Sequence, residues 1–191
     1  MSVMELREWW GLIEEARAAC GSSAGDRDSA DDPLPGEVLS RVAALPPSSI
    51  VAFGRCFSSV FDSAFLAPLW AAAYLIEGGC GDDGFMDFRA GLMLQGRSAF
   101  DAAVAAPDSL ADLPVVQRMA TTGKGWLGCE AMLYVARTAY TRSTGSPSGY
   151  DEALATRSPT RPSPARGERW DLEDDEQMRL HLPRLAALFL S

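Results

Sequence analysis

Apolar residues recur at three- and four-residue spacing along most of this chain, and proline or glycine separates one run from the next. No stretch alternates convincingly with the period of two that a half-buried strand requires. The pattern therefore predicts an all-α protein, an irregular bundle of about seven helices in a single domain over 1–191.

Start and stop signals place the runs. Ser2 and Glu5 form a capping-box pattern ahead of Leu6, Trp9, Trp10, Ile13 and Ala16, and this helix should end near Cys20–Gly21. The polar segment 21–32 reads as a mobile loop. Pro35 opens a helix carrying Val38, Leu39, Val42 and Leu45, and Pro47 opens one carrying Ile50, Phe53, Phe57, Val60 and Phe61. "PLWAAAYLIE" follows from Pro68, with Gly78 suited to a left-handed cap. Asp82 is placed as the cap of the next helix, which Gly96 interrupts and "RSAFDAAVAA" continues. "KGWLGCEAMLYVARTAYTRS" reads as a further long helix with Trp126, Leu127, Leu133, Tyr134 and Tyr140 available for burial.

The segment 143–169 is rich in Pro, Arg, Ser and Thr and nearly lacks large aliphatics, so a long exposed loop is expected before the last helix. Asp171 is the expected cap of that last helix, and Pro183 should kink or split it.

Charge excludes whole classes of function. A net charge of −9 opposes general binding to nucleic acid, which needs a basic face. No run approaches the roughly 20 apolar residues that span a bilayer. The first residues, "MSVMELREWW", lack the basic and apolar regions of a signal peptide, so a cytoplasmic protein is expected. Arginine far outnumbers the single lysine, Lys124, which associates with GC-rich bacterial genomes. Cys20, Cys56, Cys80 and Cys129 stand singly and read as buried thiols. His181 is the only histidine, so no multi-histidine metal site can form, and no metal or cofactor is expected.

The densest stretch is "YLIEGGCGDDGFMDFRAGLMLQGRSAF", residues 74–100. Asp82 and Asp83 are either a paired-carboxylate site or a helix start, one capping and the other complementing the dipole. Arg89 and Arg97 could converge on an anion, or be solvated or paired internally. Glu130, in an apolar setting, is either the partner of a buried arginine or an acid with a raised pKa. Cys80 sits where a thiol can be activated, but Asp82 and Asp83 oppose a thiolate beside it. "TTGKGW" fails as a phosphate loop, because Arg118 holds the place of the first glycine and Gly125 follows the lysine.

These residues predict a shallow polar pocket of Asp83, Arg89, Arg97 and Glu130, with Trp10 as an aromatic wall and Asp82 at the helix start. The expected function is a helical binding or accessory module for a protein partner or small polar ligand. The alternative is a small enzyme acting on an anionic metabolite, with a carboxylate acid/base and an arginine clamp. DNA-associated regulation rests only on the arginines of 143–169 and ranks last.

Several of these motifs carry a resemblance. "WAAAYLIEGGCGDDGFMDFRAGLMLQGRSAF", "PDSLADL", "CEAMLYVARTAY" and the late W-D-x-x-D ahead of "LPRLAALF" resemble a bacterial family of uncharacterised proteins, domain of unknown function 4240. The likeness runs from Trp9–Trp10 to about Phe189 and centres on G-G-C-x-D-D-G-F-x-x-F-R. It implies a compact helical domain from bacteria. It implies no established activity, so no catalytic role transfers to any residue.

Overall fold

The computed structural model of the protein describes residues 3–25, 27, 32–154 and 164–190. Among these the chain is all-α, with eleven α-helices and two short 3-10 turns rather than about seven helices. The extra elements come from breaks that each create a separate axis. The single β-type contact among the described residues is a bridge between Leu66 and Arg166.

The first helix, α1 (Leu6–Cys20), buries Trp9, Trp10, Ile13 and Ala16 on one face, as the spacing predicts. Glu5 is its N-cap, and its side chain makes no capping hydrogen bond. Ser2, the other half of the expected capping box, lies outside the described residues. Helices α2 (Leu34–Ala43) and α3 (Pro47–Ser63) open at prolines. The next, α4 (Ala67–Glu77), is buried nearly all round, through Leu69, Ala71, Ala72, Ala73, Leu75 and Ile76. It stops at Gly78, whose φ of 66° is the left-handed cap that a residue without Cβ adopts without strain.

Helix α5 (Asp82–Met93) starts from Gly81 as N-cap, so Asp82 is its first residue and makes no side-chain cap. Both aspartates act instead on the positive end of the helix dipole. Gly96 separates α5 from α6 (Arg97–Ala105), and α7 (Pro114–Thr122) follows the 3-10 turn Pro107–Asp112.

Helix α8 (Glu130–Thr144) begins six residues later than Lys124, where the sequence suggested a helix already under way. Gly123 and Gly125 take φ of 67° and 118°, which an α-helix cannot accommodate, and the backbone of 126–129 is held by other partners. Trp126 consequently leaves the core and is 42% exposed, while Leu127 is fully buried.

Part of the expected loop 143–169 is ordered structure. Helix α9 (Gly149–Leu154) buries Tyr150, and Arg137 holds Asp151 through two bonds of 2.6 and 2.5 Å. Farther on, Ala67 donates to the Arg166 carbonyl at 2.7 Å, and Arg166 donates to Phe65 O at 3.1 Å. Residues 155–163 lie outside the described set. The last helix divides at Pro183 into α10 (Asp175–His181) and α11 (Pro183–Phe189). Its cap is Asp174, which accepts from the N–H groups of Glu176 and Gln177, whereas Asp171 accepts from Glu173 in the preceding turn.

Candidate functional site

The glycine corner between α4 and α5 is built around Trp70. Its indole N–H donates to Cys80 O at 2.8 Å and its ring stacks on Phe85 at 4.8 Å. Beneath this corner Glu77, the last residue of α4, is half-buried, and its Oε1 has no partner among the described residues. Burial pushes its carboxyl up to about 7, helped by Asp87 and opposed by a hydrogen bond with Cys80. Burial and the Glu77 charge push the Cys80 thiol up to about 12. A thiol held that high carries almost no thiolate at neutral pH, which disfavours Cys80 as a nucleophile.

The expected pocket of Asp83, Arg89, Arg97 and Glu130 does not assemble. Arg89 is buried in an aromatic box, its guanidinium carbon 3.7 Å from the Phe61 ring centre, 4.7 Å from Phe65 and 5.0 Å from Phe85. It donates to Phe61 O at 3.1 Å and Phe85 O at 3.3 Å, and burial lowers its pKa to about 10. Arg97 is exposed and pairs with Asp101 at 3.3 Å. The two arginines therefore face different partners and form no clamp. Trp10 is no pocket wall either: it is 3% exposed, edge-on to Trp9 at 4.8 Å and tilted on Phe100 at 5.3 Å. Asp82 and Asp83 are exposed in the first turn of α5. Glu130 is the exposed first residue of α8, and the two buried arginines among the described residues, Arg27 and Arg89, are bonded elsewhere.

A different arginine organises the most developed polar site. Arg27 is 3% exposed and lies in the stretch 21–32 expected to be a mobile loop, part of which is outside the described residues. Its Nε pairs with Asp32 at 2.5 Å, Nη1 donates to Gly91 O and Leu127 O at 3.2 and 2.9 Å, and Nη2 donates to Gly128 O at 3.1 Å. Asp32 turns its other oxygen to the Leu34 N–H at 3.0 Å. Arg118 donates to the Arg27 carbonyl at 2.7 Å, and Cys129 N–H donates to Asp87 O at 2.8 Å.

This network pins residues 126–129 against α5. A Cβ added at Gly91 would overlap the Leu127 carbonyl, so the close approach depends on that glycine. Above the network opens a pocket of about 270 Å³, lined by Arg27, Asp32, Pro35, Trp126, Glu130 and Ala131 among others. Beside it Asp87 has its carboxyl pushed up, first by burial and then by the charges of Glu130 and Asp83.

A family model described as protein of unknown function (DUF4240) matches residues 4–142. The chain belongs to this family. No curated protein and no solved structure matches it.

Everything that builds the Arg27 network and its pocket falls inside the span that defines DUF4240. A second, apolar groove of about 230 Å³ between Trp70 and Trp170 is completed by Ala165, Arg169 and Leu172, beyond the end of the DUF4240 match. His181 stacks on Trp170 at 4.1 Å beside it. Among the described residues no group of His, Cys, Asp or Glu is arranged to hold a metal, and no helix is long and apolar enough to cross a membrane.

Sequence reasoning missed Arg27, Asp32 and Glu77, and offered Trp126 and Tyr134 for burial although both are exposed. The available signals were a glycine inside α5 at Gly91, the glycine density of "TGKGWLG", and an acid ending an otherwise apolar α4.

Proposed function

We propose that this DUF4240 member is a helical binding module that receives a protein partner or small polar ligand in the pocket beside Trp126. One observation carries the reading. A buried, four-bonded Arg27 holds the floor rigid, while a 42% exposed indole stands at the rim. A pre-formed floor with an exposed aromatic edge suits recognition, since little ordering is needed on binding and tryptophan supplies large contact area. Four cysteines without a disulfide, the acidic surface and the arginine-rich composition support a bacterial cytoplasmic setting.

A thermal-shift screen against amino acids, nucleotides, sugar phosphates and divalent metals tests the reading. A ligand at 100 times its dissociation constant adds about 2.7 kcal/mol. Ala131 is exposed and lines the pocket, so Ala131→Phe should fill it and abolish the shift. A shift that persists unchanged in that variant would overturn the assignment to this pocket.

The enzyme reading now draws on Glu77 instead of an arginine clamp. A carboxyl titrating at about 7 is matched to proton transfer at neutral pH. It predicts that Glu77→Gln abolishes turnover of a screened substrate while the fold persists; retained turnover would remove it.

A further inference from the structure

Three of the six large apolar side chains left exposed among the described residues, Met86, Trp126 and Tyr134, belong to the α5–α8 side of the molecule. Asp83, Met86 and Asp87 share one face of α5 through their three- and four-residue spacing, the first two exposed and Asp87 half-buried. A Cβ at Gly128 would lie 3.1 Å from Trp126 Nε1 and 3.4 Å from Asp87 Cβ, so the indole and this aspartate close on the same glycine. Glu130 acts electrostatically on Asp87, and Tyr134 stands one turn farther along α8. No arginine or lysine among the described residues pairs with Asp83, Asp87 or Glu130.

Like charges held together with no cation among the described residues, beside exposed aromatic rings, call for a basic complement. We propose that the face formed by Asp83, Met86, Asp87, Trp126, Glu130 and Tyr134 docks a basic segment of a protein partner. Arginine or lysine heads sit between the carboxylates and over the Trp126 ring, and intervening apolar residues cover Met86 and Tyr134. Tryptophan and tyrosine at the centre supply the desolvated anchors, and the carboxylates supply charge selection. The inference rests on the reading of the Trp126 side as the binding side and names the partner's chemistry. Asp83, Asp87 and Glu130 oppose an anionic partner on this face.

The test uses the full chain and a fluorescein-labelled decapeptide of alternating arginine and leucine, followed by fluorescence anisotropy. A version with glutamate in place of arginine is the counter-probe. Asp87→Asn with Glu130→Gln should weaken binding by at least about tenfold, and Trp126→Ser should do the same. Glu173→Gln with Glu176→Gln removes the same charge from exposed positions elsewhere and should leave binding unchanged. Circular dichroism and melting curves confirm that each variant is folded. Equal weakening by both charge-removing pairs would mean bulk attraction to an acidic protein and would overturn the proposal. So would a glutamate peptide that binds as well, or an arginine peptide that does not bind. If the arginine peptide fails while Ala131→Phe still blocks a small-molecule shift, the docking face falls and the pocket stands. Silence in both experiments sinks both.

Discussion

The Leu127 carbonyl occupies the space that a Cβ on Gly91 would need, and the same carbonyl accepts from Arg27 at 2.9 Å. Removing one side chain from a helix thus lets a loop seat on it, and the seated loop gives a buried arginine its acceptors. Two residues 36 apart in sequence (127 − 91) fix where the pocket opens.

Gly91→Ala should destabilise, although alanine in a helix is normally favoured over glycine. The methyl group meets backbone rather than a flexible side chain, so the loop must move, at a cost of about 1–3 kcal/mol. For a domain of this size the melting temperature should drop by roughly 2–12 °C. Trp126 fluorescence should shift at temperatures where the helical signal is intact. An unchanged melting curve would contradict the seating.

Arg27→Met should cost more, about 3–5 kcal/mol, because Asp32 is then left buried without its partner and three carbonyls lose a donor. Arg27→Lys should rescue only part of this, since an ammonium cannot reproduce the fork. Urea unfolding of the two variants measures both effects.

Glu77 gives stability a pH dependence of defined sign. Its folded pKa is raised from 4.5 to about 7, so between those values the folded state holds the extra proton. Its stabilising contribution is complete below pH 4.5 and is lost as pH rises through about 7. With partial solvent screening the loss amounts to about 1–2 kcal/mol. Glu77→Gln should flatten that part of the profile and be the more stable protein at pH 8. Parallel melting profiles of the two proteins from pH 5 to pH 8 would refute it.

Cys80 should react slowly with iodoacetamide at pH 7.5, well below the rate of glutathione, because its thiol is pushed up to about 12. Glu77→Gln should speed the reaction by removing the adjacent negative charge. Mass spectrometry of the labelled cysteine resolves the site, and fast labelling in the parent protein would show the thiolate to be accessible.

Arg89→Ala should act on stability and leave ligand binding at the Trp126 pocket intact in whatever fraction remains folded. Three rings lose a desolvated cation worth about 2 kcal/mol, and Phe61 O loses a donor. A binding loss in folded protein would return Arg89 to the candidate site.

The sequence by itself determined what depends on neighbours within a turn or two. The helical period of α1 through α4, the left-handed cap at Gly78 and the division of the last helix at Pro183 are all such features. Even there, which acid caps was settled by local backbone geometry: Asp174 holds the place expected for Asp171. Residue type alone could not separate Arg89, enclosed by phenylalanines from α3 and α5 and the turn between α3 and α4, from Arg97, solvated beside Asp101.

Tertiary structure alone decided the site. Arg27 finds its acceptors 64 and 100 residues away, and no period within a helix records such a distance. Trp126 carries the same side chain as Trp10, yet glycine dihedrals and the pinned loop leave it at the surface while α1 drives Trp10 into the core. Helix formation is written in short-range spacing. A binding surface arises where separate elements leave charges and rings uncovered, and only the packed chain shows which those are.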